Sequence, residues 1–464
     1  MSATLVVPTL IADQLRSVAD LEAESGGVIL ASPVALDDGS MRLLAHTLVL
    51  VPDDAYTRRD WNGLEVTSAG FVPPLRKAEE LGAVPIWMHT HPGHGSSVRP
   101  SPHDDIVDSK LRDLFTLRSG GDFYGALIVS LDDSGRELRF SAHIDDVHGQ
   151  ARVIDRMLIV GPRISLIETG TPQPDWQTSA AFDRNVRAFG GAVQRMLAHL
   201  NVAIVGCGGT GSSVAEQLVR LGVRRLTLLD PEDVSETNIT RLYGSTAADI
   251  GTPKVKVLEN YLSRIAPELQ VDAVQGMVTR ESLARRMSAA DVIFGCTDDN
   301  AGRLVLSRLS TYLMVPVIDG GVLLSSGRDG TLSGIDGRVT LMYPGAACLV
   351  CRGRVDLQRA ASESLTPDER VRRVDEGYAP GLGGAEPAVV AFTTAVAAAA
   401  VSELLNALIG YGPEPHPTEI LLRLHDREVS TNVAKPQSGH YCDPSSGKIG
   451  RGVTVPFLEK TWPS

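Results

Sequence analysis

The sequence has no excess of basic residues: 44 Lys and Arg stand against 56 Asp and Glu, which gives a formal net charge of −12 at pH 7. Nucleic acids and anionic membrane surfaces attract basic patches, so this charge argues against either as the main partner. No run of 18 apolar residues occurs, and the start MSATLVVPTL lacks the basic region of a signal peptide. Five cysteines in 464 residues do not make a disulfide framework. We expect a reduced, cytoplasmic protein of two or three domains.

A segment rich in Pro, Thr and Gly, ETGTPQPDWQTSA, divides the chain at 168–180. We therefore predict a first domain at 1–165, a linker at 166–180 and a second domain at 181–464. Short apolar runs bounded by Gly, Pro and Asp alternate with helical patterns before the linker, which predicts a mixed α/β domain.

After the linker, apolar strands that end in acidic residues alternate with longer helical segments. This alternation is typical of a doubly wound, Rossmann-like parallel sheet. One Ala-rich apolar segment, at 387–410, includes Ser, Glu and Asn. It therefore reads as a buried packing helix rather than a membrane span.

Histidine and aspartate are concentrated in HTHPGHGSSVRPSPHDD, residues 89–105. His89 and His91 are two residues apart at the end of an apolar run, and in a strand both imidazoles point to one side. Asp104, at the start of an amphipathic helix, is a candidate third ligand. Two imidazoles and a carboxylate leave one position of a tetrahedral zinc ion open, as hydrolytic centres require. The alternative is a polar loop in which Ser101 or Asp104 caps the helix.

Four residues form the pattern H-x-H, nine residues, then S-x-x-D: His89, His91, Ser101 and Asp104. The pattern resembles the JAMM signature of MPN-type (Mov34/PAD-1-like) metalloproteases, and the resemblance covers about residues 10–160. It implies a cytidine-deaminase-like fold and a catalytic Zn²⁺. It also implies a glutamate that deprotonates the metal-bound water, for which Glu24 is the first candidate and Glu22 the second. By the same resemblance, Ser101 would help to hold the oxyanion.

A glycine-rich segment, VGCGGTGS at 205–212, fits G-x-G-x-x-G with Gly206, Gly208 and Gly211. Glycines at this spacing permit a tight turn and let phosphates approach the N-terminus of the following helix. Asp230, at the end of the next strand, suits a ribose hydroxyl. Taken alone, this pattern fits an NAD-dependent dehydrogenase equally well.

Three segments downstream decide between these nucleotides: LLDPEDVSETNITRL (228–242), DIGTPKV (249–255) and CTDDNAGR (296–303). They resemble the nucleotide-binding blocks of ThiF-type and ubiquitin-activating adenylating enzymes, which use ATP and Mg²⁺. The resemblance assigns five residues to the nucleotide, its magnesium ion and the loop that holds it: Asn238, Arg241 and Lys254 on the phosphates, Asp298 on Mg²⁺, and Arg303 bracing the Asp298 loop. The alternative for Arg241 and Lys254 is a pair of solvated helix-end charges.

In this family an arginine before the first strand, often from the partner subunit, also reaches the triphosphate. FDRNVRAFGG (182–191) occupies that place. The resemblance therefore implies a homodimer and either Arg184 or Arg187 in this role.

The cysteines depart from the ubiquitin-activating pattern. The thioester-forming cysteine is missing between Cys351 and Cys442, where its place falls near Tyr378 and Ala379. Ser362, Ser364 or Thr366 would be hydroxyl substitutes, although polar loop residues are common. C-x-x-C at Cys348 and Cys351 has metal-ligand spacing, and GHYC offers His440 and Cys442 as an imperfect second half of a structural Zn²⁺ site. The alternatives are loss of the metal or a plain thiol pair.

The two resemblances together imply one pathway. Adenylation activates the C-terminal glycine of a ubiquitin-like or sulfur-carrier β-grasp protein, and a JAMM protease cuts just after that glycine. The chain thus resembles enzymes of bacterial ubiquitin-like conjugation operons, which are encoded beside a small β-grasp protein, and a conjugating enzyme is a further expected partner. The alternatives are activation of a sulfur carrier for cofactor or sulfur metabolism, and a non-catalytic binding scaffold.

Overall fold

A computed structural model describes residues 2–169, 179–326, 331–365 and 388–462. The chain divides into two compact units: Met1–Trp176 with Gly450–Val453, and Gln177–Ile449 with Thr454–Ser464. Each unit contains an eight-stranded sheet, so the predicted α/β class holds for both. The predicted linker 166–180 begins inside a strand, because Ser165–Glu168 pairs antiparallel with the strand before it.

The first unit combines an eight-stranded sheet and a two-stranded sheet with helices. Its strands are β1 (Ala3–Pro8), β2 (Gly26–Ala35), β3 (Met41–Leu50), β4 (Tyr56–Asp60), β5 (Gly63–Val66), β6 (Val84–Thr90), β7 (Phe123–Leu131), β8 (Leu138–Asp146), β9 (Ala151–Val160) and β10 (Ser165–Glu168). Its helices are α1 (Thr9–Ala19), α2 (Val72–Leu81) and α3 (Pro102–Ser119). The strand order of the eight-stranded sheet is β1-β3-β2-β6-β7-β8-β9-β10, and β4 and β5 form the two-stranded sheet. Because β1 also pairs in parallel with β9, the seven strands from β1 to β9 in this order form a closed sheet.

Side-chain alternation gives this sheet two different faces. Ile86 and Met88 of β6 belong to the apolar cluster that includes α1. Trp87, between them, packs with residues of α2 and α3. Because successive side chains of a strand point to opposite faces, His89 lies on the α3 face with Trp87, and His91 follows in the same alternation.

Local sequence signals determine both ends of α3. Ser101 accepts a hydrogen bond from the backbone N–H of Asp104, and Asp104 accepts one from the N–H of Ser101, which is a capping box. Pro102 occupies the first turn, where its missing N–H costs nothing. Gly120 ends the helix with φ of 63°, a conformation that glycine adopts without strain. The capping box brings Asp104 to the first turn, on the side of β6.

The second unit is built on a mostly parallel sheet. Its strands are β11 (Asn201–Val205), β12 (Arg225–Asp230), β13 (Gln270–Gln275), β14 (Val292–Gly295), β15 (Val317–Ser326), β16 (Leu332–Met342), β17 (Glu419–Arg423) and β18 (Glu428–Asn432). Its helices are α4 (Asp183–His199), α5 (Gly209–Arg220), α6 (Lys254–Ile265), α7 (Glu281–Arg286), α8 (Asn300–Tyr312), α9 (Leu357–Glu363) and α10 (Val390–Ile409).

The strand order of the second unit creates a binding crevice. The order is β13-β12-β11-β14-β15-β16-β17-β18, with β11 to β15 parallel and the remaining pairs antiparallel. The chain moves outward from β11 through β12 to β13, and then returns to β14 on the other side of β11. In open α/β sheets, ligands bind at the carboxyl ends of the strands where the order reverses. Here that position lies between β11 and β14.

Helix α10 is the Ala-rich segment of the sequence. It meets the length and composition of a membrane span, with a mean hydropathy of 1.6, a test that buried core helices also meet. Its inward side chains include Val396, Val401 and Leu404, which are buried. Val396 lies against Gly320 of β15 and Gly337 of β16, so these side chains pack on the sheet as predicted for a packing helix.

Candidate functional sites

The first site lies where β6 ends and α3 begins. Nε2 of His89 is 3.6 Å from Oδ1 of Asp104, and Nε2 of His91 is 3.7 Å from Oδ2 of the same carboxylate. Ligand atoms of all three side chains lie within 4.8 Å of one another. Nε2 of His89 is buried without a hydrogen-bond partner in the structure, an orphaned position that a metal ion would satisfy. The donor set of two imidazoles and one carboxylate fits zinc.

The orientation of one imidazole is fixed by a second contact. Nδ1 of His91 lies 2.6 Å from the carbonyl oxygen of Ser97, so this nitrogen carries the proton and donates it. Nε2 is then the atom with a free lone pair, and it is the atom that faces Asp104. Metal-binding histidines are commonly held in this way.

Glu24 belongs to the same site through strand register. Gly26 of β2 pairs with His89 of β6, and Thr90 donates its backbone N–H to the carbonyl oxygen of Ser25. Continuing this antiparallel register places Glu24 opposite His91, on the same face. Burial raises the pKa of the Glu24 carboxyl to about 7; His91 opposes this shift and Asp104 adds to it. A carboxyl with a pKa near neutrality is suited to accept and return a proton.

This raised pKa predicts a pH-dependent stability. The pKa of the Glu24 carboxyl is about 4.5 in the unfolded chain and about 7 in the folded one. The protonated carboxyl therefore favours the folded state at low pH, and this contribution to the free energy of unfolding is lost as the pH rises through 7. We expect Glu24→Gln to raise the free energy of unfolding of the metal-free protein by about 1 kcal/mol at pH 8, after allowance for solvent screening, and to change it little at pH 4.5. Urea denaturation in chelator at the two pH values measures this, and an equal effect at both would contradict it.

Ser101 caps α3, as the alternative interpretation of this loop expected. Its Oγ accepts the N–H of Asp104 at 3.2 Å, and its own N–H donates to Oδ2 of Asp104 at 2.7 Å. This role is compatible with the predicted contact to an oxyanion, because the hydroxyl hydrogen is not used in the cap. The oxyanion role itself stays a prediction.

The sequence analysis missed a second cluster on the same face of the first unit. Ligand atoms of Asp108, His143 and Asp145 also lie within 4.8 Å of one another. Two signals were available: Asp108 follows Asp104 by one helical turn, and His143 and Asp145 are two residues apart in a strand, the same spacing as His89 and His91.

The glycine turn follows β11 and begins α5. Gly206 has φ of 93°, and a Cβ there would lie 2.6 Å from the carbonyl carbon of Cys296. A Cβ on Gly211 would lie 1.8 Å from the carbonyl oxygen of Gly206. Both positions therefore require glycine. A Cβ on Gly208 would meet no atom within 4 Å, so this position opens toward free space at the N-terminus of α5, where a phosphate would approach.

Asp230 links two loops of this site. Its Oδ2 accepts the backbone N–H of Cys207 at 2.7 Å and its Oδ1 accepts that of Glu232 at 2.9 Å. Burial raises the pKa of the Asp230 carboxyl, while the charge of Lys254 opposes the shift. Each oxygen of this carboxylate has a further lone pair that can accept a hydrogen bond from a ribose hydroxyl. The contact to the ribose itself stays a prediction.

The cations predicted to bind phosphate lie beside the turn. Side-chain carbons of Arg241 lie 3.4 Å from the position that a Cβ of Gly209 would take. Lys254, buried at the start of α6, forms an ion pair with Glu232. Asn238 is buried, and its Oδ1 accepts the N–H of Ser235 at 3.1 Å. The burial of Lys254 argues against the alternative of a solvated helix-end charge.

The adjacent aspartates Asp298 and Asp299 have different environments. Asp299 caps α8: its carboxylate accepts hydrogen bonds from the N–H of Gly302 and from the hydroxyl of Thr297. The side chain of Asp298 is exposed, and Nη1 of Arg303 is 3.5 Å from its carbonyl oxygen. Arg303 thus lies beside the Asp298 loop, while its bracing role stays a prediction, and Asp298 is the carboxylate that is exposed for a magnesium ion.

This difference predicts contrasting effects of two alanine substitutions. We expect Asp299→Ala to lower the free energy of unfolding by about 1 kcal/mol, because it removes the helix cap. Asp298→Ala changes stability by less than about 0.5 kcal/mol, as exposed substitutions do, but raises the Mg²⁺ concentration needed for ATP turnover. Urea denaturation and a magnesium titration of ATP–pyrophosphate exchange separate the two effects. A stability loss on Asp298→Ala equal to that of Asp299→Ala would refute the assignment.

The structure does not bring Arg184 or Arg187 to the glycine turn of their own chain. Phe182 and Gln194, on either side of these arginines, lie against Gly222 beyond the C-terminus of α5. The glycine turn is at the other end of this helix, about 18 Å away at 1.5 Å per residue. Arg187 instead pairs with Asp183 at 3.0 Å.

The C-x-x-C residues are brought together with the second half predicted for them. The four side chains place their ligand atoms within 4.8 Å of one another: Cys348, Cys351, His440 and Cys442. Sγ of Cys351 lies 3.3 Å from Nδ1 of His440 and 3.5 Å from Sγ of Cys442. Such spacings suit the corners of a tetrahedral zinc site, so three thiolates and one imidazole can hold a structural Zn²⁺.

The remaining cysteines do not replace the missing thioester residue. Cys207 is fully buried, and burial raises the pKa of both Cys207 and Cys296, which keeps their thiols protonated. Of the hydroxyl substitutes, Ser362 is buried in α9 and Ser364 follows it. Thr366, Tyr378 and Ala379 lie outside the described residues.

Comparison with known proteins matches residues 182–442, more than half of the chain, to the ThiF family. The sulfur carrier protein ThiS adenylyltransferase of Escherichia coli K12 is 35% identical over 125 residues, 27% of this chain and 50% of that protein. The molybdopterin-synthase adenylyltransferase of the same organism is 32% identical over 143 residues, 31% of this chain and 57% of that protein. This chain thus spans about half the length of these relatives.

Among solved structures, that of Escherichia coli MccB with ATP has a TM-score of 0.44 and 17% identity, and the match covers 57% of this chain and 74% of that one. The extent of the family match, together with a glycine turn and cations at the carboxyl ends of β11, β12 and β14, leads to one conclusion. This chain belongs to the ThiF family.

Proposed function

We propose that this chain is a bifunctional enzyme of a ubiquitin-like pathway. Its second unit adenylates the C-terminal glycine of a ubiquitin-like or sulfur-carrier β-grasp protein with ATP. Its first unit is a zinc-dependent (iso)peptidase that trims that protein or releases it from a conjugate. One observation carries the proposal: in this ThiF-family chain, Arg241 and Lys254 lie beside the glycine turn.

In the adenylation step, a carboxylate oxygen of the partner's glycine attacks the α-phosphorus of ATP, and pyrophosphate leaves with the electron pair of the broken P–O bond. Backbone N–H groups at the start of α5 hold phosphate oxygens, and the open side of Gly208 leaves them room. Arg241 and Lys254 neutralise the charge that develops on the leaving pyrophosphate. Asp298 would hold the magnesium ion, which would supply positive charge to the phosphates.

The chemistry proposed for the first unit rests on its donor set. His89, His91 and Asp104 would hold the zinc ion, which when bound polarises a scissile carbonyl and acidifies a water. Glu24, opposite His91, accepts the water proton on its carboxylate and returns it to the departing nitrogen. The Ser101 hydroxyl donates to the oxyanion.

A second candidate is sulfur-carrier activation without conjugation. The chain has no cysteine between Cys351 and Cys442, and the relatives described above are named for sulfur-carrier and molybdopterin chemistry. An adenylate then leaves the enzyme for sulfur transfer by another protein. In either case Arg184 or Arg187, which lie away from the glycine turn of their own chain, would act at the site of a second copy, and this role would make adenylation depend on a homodimer.

The proposal is tested by incubating the zinc-loaded protein with ATP, Mg²⁺ and β-grasp proteins that carry a residue or short peptide after their Gly-Gly. Intact mass measurement is expected to show loss of that extension, followed by gain of an adenylate on the exposed glycine. If the adenylate reacts with the persulfide of a sulfur-donor protein, and no ester forms on this chain, the result favours the second candidate, sulfur-carrier activation.

The outcomes separate the two units. Trimming without adenylate overturns the proposal for the second unit, and adenylation without trimming overturns that for the first. Neither product from any β-grasp protein, with no ATP–pyrophosphate exchange, leaves the binding scaffold as the better account.

A further inference from the structure

The cluster of Asp108, His143 and Asp145 is not used by the mechanism above. It lies on the α3 face of the first unit, because Ala142 and Ile144 of β8 pack into the α1 cluster and the side chains that alternate with them point the other way. His143 and Asp145 therefore face α3, from which Asp108 approaches. Three potential ligands thus come from two elements, a helix and a strand.

The ligand atoms of these three side chains lie close together. Nε2 of His143 is 2.9 Å from Oδ2 of Asp108 and 3.9 Å from Oδ1 of Asp145. One ligand atom from each of the three residues lies within 4.8 Å of the other two, a spread that one ion can bridge. The side chain of Asp145 is 9% exposed, and its Oδ1 has no hydrogen-bond partner in the structure. A buried carboxylate oxygen without a donor calls for a cation or an ordered water.

The outer oxygen of each carboxylate is held by a separate group. Tyr124 donates its hydroxyl to Oδ1 of Asp108 at 2.6 Å, and Nη1 of Arg112 lies 3.6 Å from Oδ2 of Asp145. The Tyr124 ring is buried edge-to-face on Phe115 at 5.4 Å, which fixes its position. Metal ligands are typically oriented by such contacts from their outer side, which turn the inner lone pairs toward the ion.

We propose that Asp108, His143 and Asp145 form a binding site for a divalent transition-metal ion, with Zn²⁺ or Mn²⁺ as the fitting cations. One imidazole and two carboxylates suit these ions. A metal-binding imidazole is neutral; with His143 in that form the two carboxylates exceed the single charge of Arg112, and a dication neutralises the remaining negative charge. The bound ion joins α3 to β8.

This site is distinct from the one formed by His89, His91 and Asp104. Asp108 follows Asp104 by four residues, a rise of about 6 Å along α3. The two sets of ligand atoms, on His89, His91 and Asp104 and on Asp108, His143 and Asp145, have no residue in common, so the second ion has a ligand set of its own. Its effect on the first site is positional, since it anchors the helix that carries Asp104.

Metal content of the full chain tests the proposal. We use Asp104→Asn as the background, so that the first site is disabled, and dialyse it against buffered Zn²⁺ or Mn²⁺ alone. Adding Asp145→Asn, a substitution of nearly the same shape, is expected to lower the bound metal by one ion per chain. Adding His148→Ala, at an exposed histidine five residues from His143, is the matched control and lowers it by none. Equal metal content with and without Asp145→Asn overturns the proposal.

A second measurement does not depend on any variant. Anomalous scattering at the zinc edge from crystals of the unaltered protein is expected to show a peak between His143 and the two carboxylates. A peak at Cys348 and Cys351 without one at His143 shows that Asp108 and His143 are a structural ion pair, and the proposal is then wrong.

Discussion

Asp104→Asn is expected to abolish zinc binding between His89 and His91 and to lower the rate of extension trimming by about 10³-fold or more. The reason is that the anionic ligand is lost while the shape of the side chain is kept. Without a bound ion, the several kcal/mol of charge stabilisation at the scissile carbonyl disappear, which corresponds to this factor. The amide oxygen can still accept the N–H of Ser101, so α3 keeps its cap.

The matched control is Asp105→Asn, at the next residue, whose side chain is exposed. This variant loses the same formal charge and is expected to keep both zinc and trimming. Bound zinc is measured on each variant alongside the trimming rate and the adenylation rate. If Asp104→Asn and Asp105→Asn reduce trimming equally, the metal centre is not the source of the activity.

Lys254→Met is expected to lower ATP–pyrophosphate exchange by about 10²–10³-fold and to leave trimming unchanged. The substitution removes one charge from the nucleotide site and retains most of the buried side-chain volume. Loss of a single group that stabilises developing charge in a water-excluded site has an effect of this size. Glu232, its ion-pair partner, has a side chain that is 66% exposed, so leaving it unpaired costs little stability.

Lys256→Met is the control for this prediction. Lys256 lies two residues along α6 and pairs with Glu259, and its side chain is 52% exposed. We expect exchange within about twofold of the unaltered protein. Equilibrium binding of ATP is measured on both variants as well, because it does not need the β-grasp partner. Unchanged ATP binding and exchange in Lys254→Met would refute the phosphate assignment.

The elements themselves were largely predictable, because their signals are local. The apolar run VPIWM predicts β6, and SPHDD carries the serine, proline and aspartate that begin α3. The glycine spacing at Gly206 and Gly211 is also a local signal, since a side chain at either position would collide with backbone nearby. In each case the residues that decide the structure are close together in the sequence.

The site assignments needed more than local pattern. The resemblance puts Glu24 before Glu22, and strand register supplies a physical reason, because it places Glu24 opposite His91. The resemblance assigns Asp298 to the nucleotide site, and the structure adds that the neighbouring Asp299 is used to cap α8. The predicted arginines lie far from the glycine turn because both flanking residues contact Gly222. None of these contacts is encoded in residue spacing.

The sequence by itself determined the chemistry that is available: a histidine and aspartate set with zinc preferences, a glycine turn for phosphates, and a cysteine and histidine set for a structural metal. Only the tertiary structure decided which groups act together. It joined Cys348 to His440 across 92 residues and brought His143 and Asp145 to Asp108. The physical reason is that periodicity specifies the face on which a side chain lies, whereas the pairing of elements specifies what that face meets.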